Sequence, residues 1–140
     1  MSGMVNDADI EYNLGICLSE LGRVEECVEP MQRCIELDPD YANAHIGLGV
    51  AHARLGNPDA AEAALRSAVR LEPENAYAKR NLAGVLARNG KSNEALPFFR
   101  QAASIAPKDP GSLLGLAQCL EELGGDHLKE AGTAYDQILR

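Results

Sequence analysis

The chain has 140 residues, of which 46% are hydrophobic and only 4% are aromatic, and its formal net charge at pH 7 is -8. This composition predicts one globular domain, and the acidic charge disfavours nucleic acid as a partner because phosphate groups would be repelled. No apolar run approaches the roughly 18 residues of a membrane span. No secretory leader is recognisable, so we expect a soluble, cytoplasmic chain with no membrane segment.

Three sets of residues recur at a fixed interval of 34 positions. A period in this range is typical of stacked repeats, in which each unit can bury its apolar face only against its neighbour. Positions that lie one or more such intervals apart are called matched positions below. The recurring residues are the prolines Pro39, Pro73 and Pro107, the glycines Gly22, Gly56, Gly90 and Gly124, and the leucines Leu14, Leu48, Leu82 and Leu116.

Helix signals begin at the first repeat. Asp7 is predicted to cap a helix that runs to about Leu21, and residues 1–6 are interpreted as a tail or expression remnant. Asn75 and Asp109 stand at the corresponding place before later repeats. Capping residues therefore recur in phase with the apolar pattern, which favours one consistent helical fold.

The second repeat shows the internal plan of a unit. Apolar spacing predicts a helix from about residue 42, and Gly56 stands where a helix end favours positive φ. Asn57 and Pro58 then supply a cap and a first-turn proline for a second helix. Pro73 closes this helix because the residue before a proline is pushed out of the helical region. Each unit is therefore predicted to be a helix-turn-helix hairpin.

Two prolines interrupt this regular plan. Pro30 and Pro97 fall inside the second helices of the first and third repeats. A proline there removes one backbone hydrogen bond and crowds the preceding turn. We expect local bends near Glu26 and near Asn93, with neither helix broken.

The fourth repeat departs from the period after Gly124. It regains register only if two residues are inserted within residues 125–127, which aligns Ala131 and Tyr135 with Ala95 and Phe99. No polar helix follows this last hairpin. The sequence therefore favours equally a fragment of a longer protein and self-association through the uncapped C-terminal helix.

At these residues the unit resembles a tetratricopeptide repeat, whose signature includes a Leu-Gly pair, a small-x-x-x-bulky motif and a closing proline. The second repeat carries these as Leu48-Gly49, Ala61, Leu65, Ala68 and Pro73. The family's tryptophan position instead holds Glu11, His45, Lys79 and Leu113. The resemblance implies an all-α, right-handed α-solenoid of four stacked hairpins. It forms a single domain at 7–140, with repeats at about 8–41, 42–75, 76–109 and 110–140.

The four cysteines are predicted to be reduced thiols in the helical core. Cys27 and Cys34 match alanines in other repeats, and Cys17 matches Ala51 and Cys119 at an expected interior position. No spacing suits a zinc site, so we expect neither a metal nor a cofactor. Free thiols favour a reducing cytoplasm.

In the family that the sequence resembles, the first helices line a concave groove that receives a peptide or a partner helix. Helical spacing places tyrosines, aliphatic side chains, asparagines and arginines on that face, a mixture suited to partner binding. The predicted groove residues are Tyr12, Asn13, Ile16, Asn43, Ile46, Val50, Arg54, Tyr77, Arg80, Asn81, Arg88, Leu114 and Gln118.

Charge is distributed unevenly along the chain. Residues 1–40 hold ten acidic and two basic side chains, whereas residues 41–107 hold five acidic and eight basic ones. Arg54, Arg80 and Arg88 are predicted to border the central groove, which favours an acidic peptide or a free C-terminal carboxylate as the guest. The same asymmetry would also suit contact between the acidic end of one copy and the basic middle of another.

No catalytic arrangement is recognisable, so the chain is predicted not to be an enzyme. The carboxylate-clamp residues of chaperone-binding relatives are absent at the corresponding positions. The asparagine ladder of O-linked sugar transferases is half present, as Asn13 and Asn81 alternate with Gly47 and Gly115. Two alternatives to a simple scaffold stay open: a substrate-recruiting segment of a larger enzyme such as a glycosyltransferase, and a self-assembling scaffold.

Overall fold

The computed structural model describes residues 6–140, and within that range it contains eight α-helices and no strand. The predicted remnant at the amino terminus lies outside the described residues except for Asn6. In chain order the helices are α1 (Asp7–Glu20), α2 (Val24–Leu37), α3 (Ala42–Arg54), α4 (Pro58–Leu71), α5 (Ala76–Arg88), α6 (Ser92–Ile105), α7 (Pro110–Leu123) and α8 (Leu128–Leu139), with a short 3-10 helix at Gly125–His127 before α8. The predicted all-α hairpin fold is confirmed.

The turn signals act as expected. Gly22, Gly56, Gly90 and Gly124 all have positive φ, between 65° and 80°. A residue with a side chain is strained in that conformation, so glycine ends each first helix and lets the chain turn back. Asn75 and Asp109 cap α5 and α7 as predicted.

The cap of α1 differs from the prediction, and the two internal prolines do not break their helices. Asn6 caps α1, where Asp7 had been expected, because its side-chain oxygen accepts a hydrogen bond from the backbone N–H of Asp9 at 2.9 Å. α2 and α6 run unbroken through Pro30 and Pro97. The bends predicted beside these prolines stay a prediction.

The helices form two compact units that divide after Leu71, with α1 to α4 in the first and α5 to α8 in the second. In the first unit α1 pairs with α2, α3 pairs with α4, and α2 also packs against α3. In the second unit α5 pairs with α6, α7 pairs with α8, and α6 packs against α7. Each unit therefore buries apolar surface both within its hairpins and between consecutive hairpins.

Bare glycines let the helices of the first unit approach one another closely. A Cβ added at Gly15 of α1 would lie 2.8 Å from the terminal methyl of Met31, and one added at Gly47 of α3 would lie 2.7 Å from the same atom. Met31, which is 1% exposed, therefore fills the space that both glycines leave. Gly49 likewise leaves space for Leu65 of its own hairpin, because a Cβ there would lie 2.6 Å from the Leu65 side chain.

The cysteines follow the prediction except at one position. Cys27, Cys34 and Cys119 are buried, but Cys17 is exposed although its matched residues Ala51 and Cys119 are 3% and 2% exposed. The physical reason is that α3 is covered by α2 and α7 by α6, whereas no earlier helix of the described chain covers α1. All four cysteines are free thiols.

The inserted turn of the fourth repeat is also seen. Gly125–His127 forms the 3-10 helix, after which α8 places Ala131 at 4% exposure, comparable with 0% at Ala95. Tyr135 is half-buried, and its hydroxyl donates a hydrogen bond to Glu121 at 2.9 Å. The predicted alignment of Ala131 with Ala95 is supported, whereas Tyr135 is less buried than Phe99 and its alignment stays a prediction.

Candidate functional site

In the first unit, Tyr12 of α1 belongs to a small aromatic cluster. Its ring lies 5.1 Å from that of Tyr41, whose hydroxyl donates a 2.7 Å hydrogen bond to Asp9. Burial of the Tyr41 side chain, together with the Asp9 carboxylate, raises the pKa of that phenol well above its ordinary value. Tyr12 therefore packs against a tilted, hydrogen-bonded neighbour while its own side chain is only half-buried.

The other predicted groove residues of the first unit are accessible, with one exception. Asn13, Asn43 and Arg54 are exposed, and Ile16 and Val50 are half-buried. Ile46, predicted to line the groove, is only 4% exposed. Its spacing from Ala42 and Gly49, which are both buried, places it on the packed stripe of α3. Ile46 therefore belongs to the core rather than to a binding surface.

In the second unit, α5 and α7 lie beside each other and present two large apolar side chains to solvent. Tyr77 is 51% exposed and Leu114 is 43% exposed. Gln118 and Arg88 are also exposed, and Asn81 is half-buried. The first helices of the second unit therefore expose apolar, amide and cationic groups, which are kinds of group common in binding surfaces.

Arg80 already has partners within the second unit. Its guanidinium lies 3.0 Å from a carboxylate oxygen of Asp109 and 5.0 Å from the centre of the Tyr77 ring. Gly111 makes room for it, because a Cβ there would collide with the guanidinium. Arg80 is therefore partly neutralised and holds the Tyr77 ring in place.

Asp109 is both the cap of α7 and the counter-ion of Arg80. It accepts hydrogen bonds from the Ser112 hydroxyl at 2.7 Å and from the Ser112 backbone N–H at 3.1 Å. The Ser112 hydroxyl and the Arg80 charge hold the pKa of the Asp109 carboxyl below its ordinary value, against the opposing effect of burial. The carboxylate is therefore charged at neutral pH and fixes both the helix start and Arg80.

Arg54 and Arg88 differ from Arg80 because they are exposed and no other side chain among residues 6–140 forms an ion pair with them. Sequence reasoning grouped the three arginines as equivalent cationic sites. In the structure Arg80 is held by Asp109, whereas Arg54 and Arg88 are exposed and could pair with a ligand. Each unit therefore has one exposed arginine that could pair with a carboxylate, Arg54 in the first and Arg88 in the second.

Packing explains why glycines interrupt the asparagine ladder at Gly47 and Gly115. A Cβ at Gly47 would meet Met31, and one at Gly115 would collide with the Phe99 ring. Asn81 donates its side-chain N–H to the Tyr77 carbonyl at 2.8 Å, which leaves its amide oxygen as an acceptor. The alternation of asparagine and glycine therefore follows from the bulk of side chains on the second helices.

Sequence reasoning missed the polar pairs that replace the family's tryptophan. Arg33 of α2 contacts Glu11 of α1 at 2.8 Å, and Lys79 of α5 contacts Gln101 of α6 at 2.6 Å. Both pairs join matched positions on the two helices of one hairpin. The complementary charge of Glu11 and Arg33 was the signal that could have identified the first pair.

Other chemistry finds little support in the arrangement of side chains. Across residues 6–140, no three His, Cys, Asp or Glu side chains converge as metal ligands would. In the same range, no helix combines the length and hydropathy that a membrane crossing needs.

Three family models described as tetratricopeptide repeat match the chain, over residues 6–74, 46–110 and 86–140. Together they span the whole described range. No curated protein sequence matches the chain.

Solved structures of similar fold include two crystal structures of MamA. One is 23% identical with a TM-score of 0.85, covering 94% of this chain and 71% of that chain. The other is 24% identical with a TM-score of 0.88, covering 96% and 77%. The structure of YrrB, described as a TPR protein with an unusual peptide-binding site, is 23% identical with a TM-score of 0.82. The alignment covers 91% of this chain and 65% of YrrB, and at these identities the similarity shows the fold.

Proposed function

Because this chain belongs to the tetratricopeptide repeat family, we propose that it is a non-catalytic interaction module that holds a peptide or helix of another protein on its first helices. The observation that carries this proposal is the pair of exposed apolar side chains on adjacent helices, Tyr77 at 51% and Leu114 at 43%. The core of a binding surface is typically formed by such anchors. The peptide-binding site named for YrrB supports the same class of function.

The polar groups around these anchors favour an extended peptide. The amide oxygen of Asn81 and the side chain of Gln118 provide hydrogen-bonding groups suited to a peptide backbone. The Arg80 guanidinium lies over one face of the Tyr77 ring, 5.0 Å from its centre, so the ring is preorganised for contact through its other face. Preorganisation lowers the entropy that binding costs.

The experiment is selection of short peptides from a displayed random library, followed by fluorescence polarisation with the enriched sequences. The double variant Tyr77→Ala/Leu114→Ala is expected to weaken binding by at least about tenfold. The matched control is Leu128→Ala/Leu139→Ala, because these leucines are also exposed, at 54% and 86%, but lie on α8. Equal affinity of both double variants would contradict the proposal.

An acidic guest is the finer part of the proposal, and it rests on Arg54 and Arg88. Replacing both by alanine is expected to weaken binding of an acidic peptide and to reduce its dependence on salt. Arg80→Ala tests the distinction, since this arginine already pairs with Asp109 at 3.0 Å. If Arg54→Ala/Arg88→Ala left both affinity and salt dependence unchanged, these arginines would not bind the acidic groups of the peptide, and this part of the proposal would be wrong.

The place of action and the alternative roles are proposals as well. Four free thiols favour a reducing compartment such as the cytoplasm, and the net charge of -8 disfavours nucleic acid. Self-association through α8 would use Leu139, which is 86% exposed. Recruitment of substrate for a larger enzyme, such as a glycosyltransferase, would use the same first-helix surface.

A further inference from the structure

The outward face of α1 carries an apolar stripe that no helix of the described chain covers. The α1 stripe consists of Ile10, Leu14, Cys17 and Leu21, which fall at i, i+4, i+7 and i+11 and so share one helix face. Ile10 is 54% exposed, Leu14 is 44% exposed, and Leu21 is 69% exposed. Cys17 is exposed between them.

Residues matched to Ile10 and Cys17 are buried elsewhere in the chain, whereas Leu48 and Leu55, matched to Leu14 and Leu21, are half-buried. Ala44, matched to Ile10, is 0% exposed, and Ala51, matched to Cys17, is 3% exposed. In the second unit, Leu116, matched to Leu14, is 8% exposed. These positions lie on α3 and α7, against which α2 and α6 pack. The repeat therefore uses this face of a first helix to receive another helix, and no helix within residues 6–140 covers that face in α1.

The rim of the stripe is anionic. A cleft of about 390 Å³ beside it is lined by apolar Ile10 and Leu37 and by charged Asp7, Glu11, Arg33 and Glu36. Arg33 is engaged by Glu11 at 2.8 Å and by Glu29 at 2.6 Å. Asp7 and Glu36 have no cationic partner among residues 6–140. An incoming helix would therefore gain from basic side chains at this rim.

We propose that the α1 stripe is a second docking surface, separate from the proposed peptide surface, and that it receives an amphipathic helix of another protein with lysines or arginines flanking its apolar face. The charge of the surface selects this occupant, since residues 1–40 hold ten acidic and two basic side chains. The free end of a second copy fits less well, because residues 110–140 are acidic as well, with five acidic and two basic side chains. Like charges across such a contact disfavour it.

The probe is a fluorescein-labelled helix of about 18 residues, long enough to be helical when docked, with leucines on one face and lysines beside them. A matched peptide carries glutamates in place of the lysines. The lysine peptide is expected to bind at least about tenfold more tightly than the glutamate peptide, and to lose affinity as salt rises. Equal binding of the two peptides would overturn the proposal.

Three groups of variants locate the binding. Leu14→Glu and Leu21→Glu each place a charge on the stripe and are expected to weaken the lysine peptide by about tenfold or more. Asp7→Asn/Glu36→Gln is expected to weaken it less and to reduce its salt dependence. Leu139→Glu and Tyr77→Ala/Leu114→Ala are the controls and should bind as the unchanged protein does. Circular dichroism melts establish that each variant is folded.

Unchanged binding by folded Leu14→Glu and Leu21→Glu would overturn the proposal, as would equal losses in the Leu139→Glu control. The oligomeric state provides the remaining test, by light scattering after size exclusion. A dimer that dissociates on Leu14→Glu would assign the stripe to a second copy and would also overturn the proposal. A loss of lysine-peptide binding in Tyr77→Ala/Leu114→Ala alone would instead place that peptide on the proposed peptide surface.

Discussion

The outer faces of α1 and α7 carry similar residues in opposite surroundings. Cys17 of α1 and Cys119 of α7 are the same amino acid at matched positions, yet Cys17 is exposed and Cys119 is 2% exposed. The thiol of Cys119 donates to the Ser92 carbonyl of α6 at 3.3 Å, whereas no preceding helix of the described chain reaches Cys17. A position in the repeat therefore fixes which way a side chain points, but only a neighbouring helix decides whether that side chain is buried.

The largest difference that we expect is in thiol reactivity. Burial raises the pKa of the Cys119 thiol, and burial also raises the pKa of Cys34 to about 11. Since the thiolate is the reactive form and a buried thiol reacts only after opening, Cys119 should react on the order of a thousandfold more slowly than Cys17. The measurement is the time course of Ellman's reagent at pH 8, with Cys17→Ser removing the fast phase. Two thiols reacting at comparable rates would contradict the comparison.

A smaller difference is expected for leucines at another matched position. Leu116→Ala should lower the free energy of unfolding by about 2 to 5 kcal/mol, because it leaves a cavity at a residue that is 8% exposed. Leu14→Ala, at 44% exposure, should cost less than about 1 kcal/mol. Urea titrations of the two variants give the comparison directly. Equal midpoints would mean that the two leucines have similar surroundings.

The smallest difference that we expect is in how the helix caps contribute to stability as pH changes. Neutral Asn6 caps α1, whereas charged Asp109 caps α7. The folded-state pKa of Asp109 is lowered, so its charge contributes stability that is present above the unfolded pKa and is lost as pH falls through the folded pKa. Asp109→Asn keeps a capping oxygen but loses the ion pair with Arg80, which should cost about 0.5 to 1 kcal/mol at neutral pH.

Thermal melts from pH 7 down to acid check this expectation. The cost of Asp109→Asn should shrink as pH falls, because the unchanged protein loses the same charge there. Asn6→Ala is the control, with a cost of about 0.5 to 2 kcal/mol that does not depend on pH. A cost of Asp109→Asn that stayed constant through the acid range would show that the charge contributes nothing.

Much of the fold could be predicted from the sequence because its signals are local and periodic. The glycine that ends each first helix needs only positive φ, and the caps at Asn75 and Asp109 need only the next three residues. The sequence predicts Asp7 as the cap of α1, one residue after the observed cap Asn6, because both residue types suit that role. Such choices depend on backbone geometry that residue type alone does not fix.

The surface was harder to predict because it depends on contacts between residues far apart in the sequence. Ile46 and Val50 are neighbours on one turn of α3, yet Ile46 is buried and Val50 is not. Arg80 lies 29 positions from Asp109, so its neutralisation could not be deduced from local pattern. The predicted groove therefore loses Ile46 to the core and one arginine to an ion pair, whereas Tyr77 and Leu114 remain exposed.

The fit of Met31 between Gly15 and Gly47 makes the first unit sensitive to oxidants. A sulfoxide oxygen on Met31 would have no space beside these two glycines, where an added carbon would already lie within 2.8 Å of the methionine side chain. Peroxide should therefore attack only molecules that have opened, and the oxidised chains should fail to close again. An added oxygen on the peptide that contains Met31, separated by mass spectrometry from those with Met1 and Met4, would then record how often the packing of α2 against α1 and α3 opens.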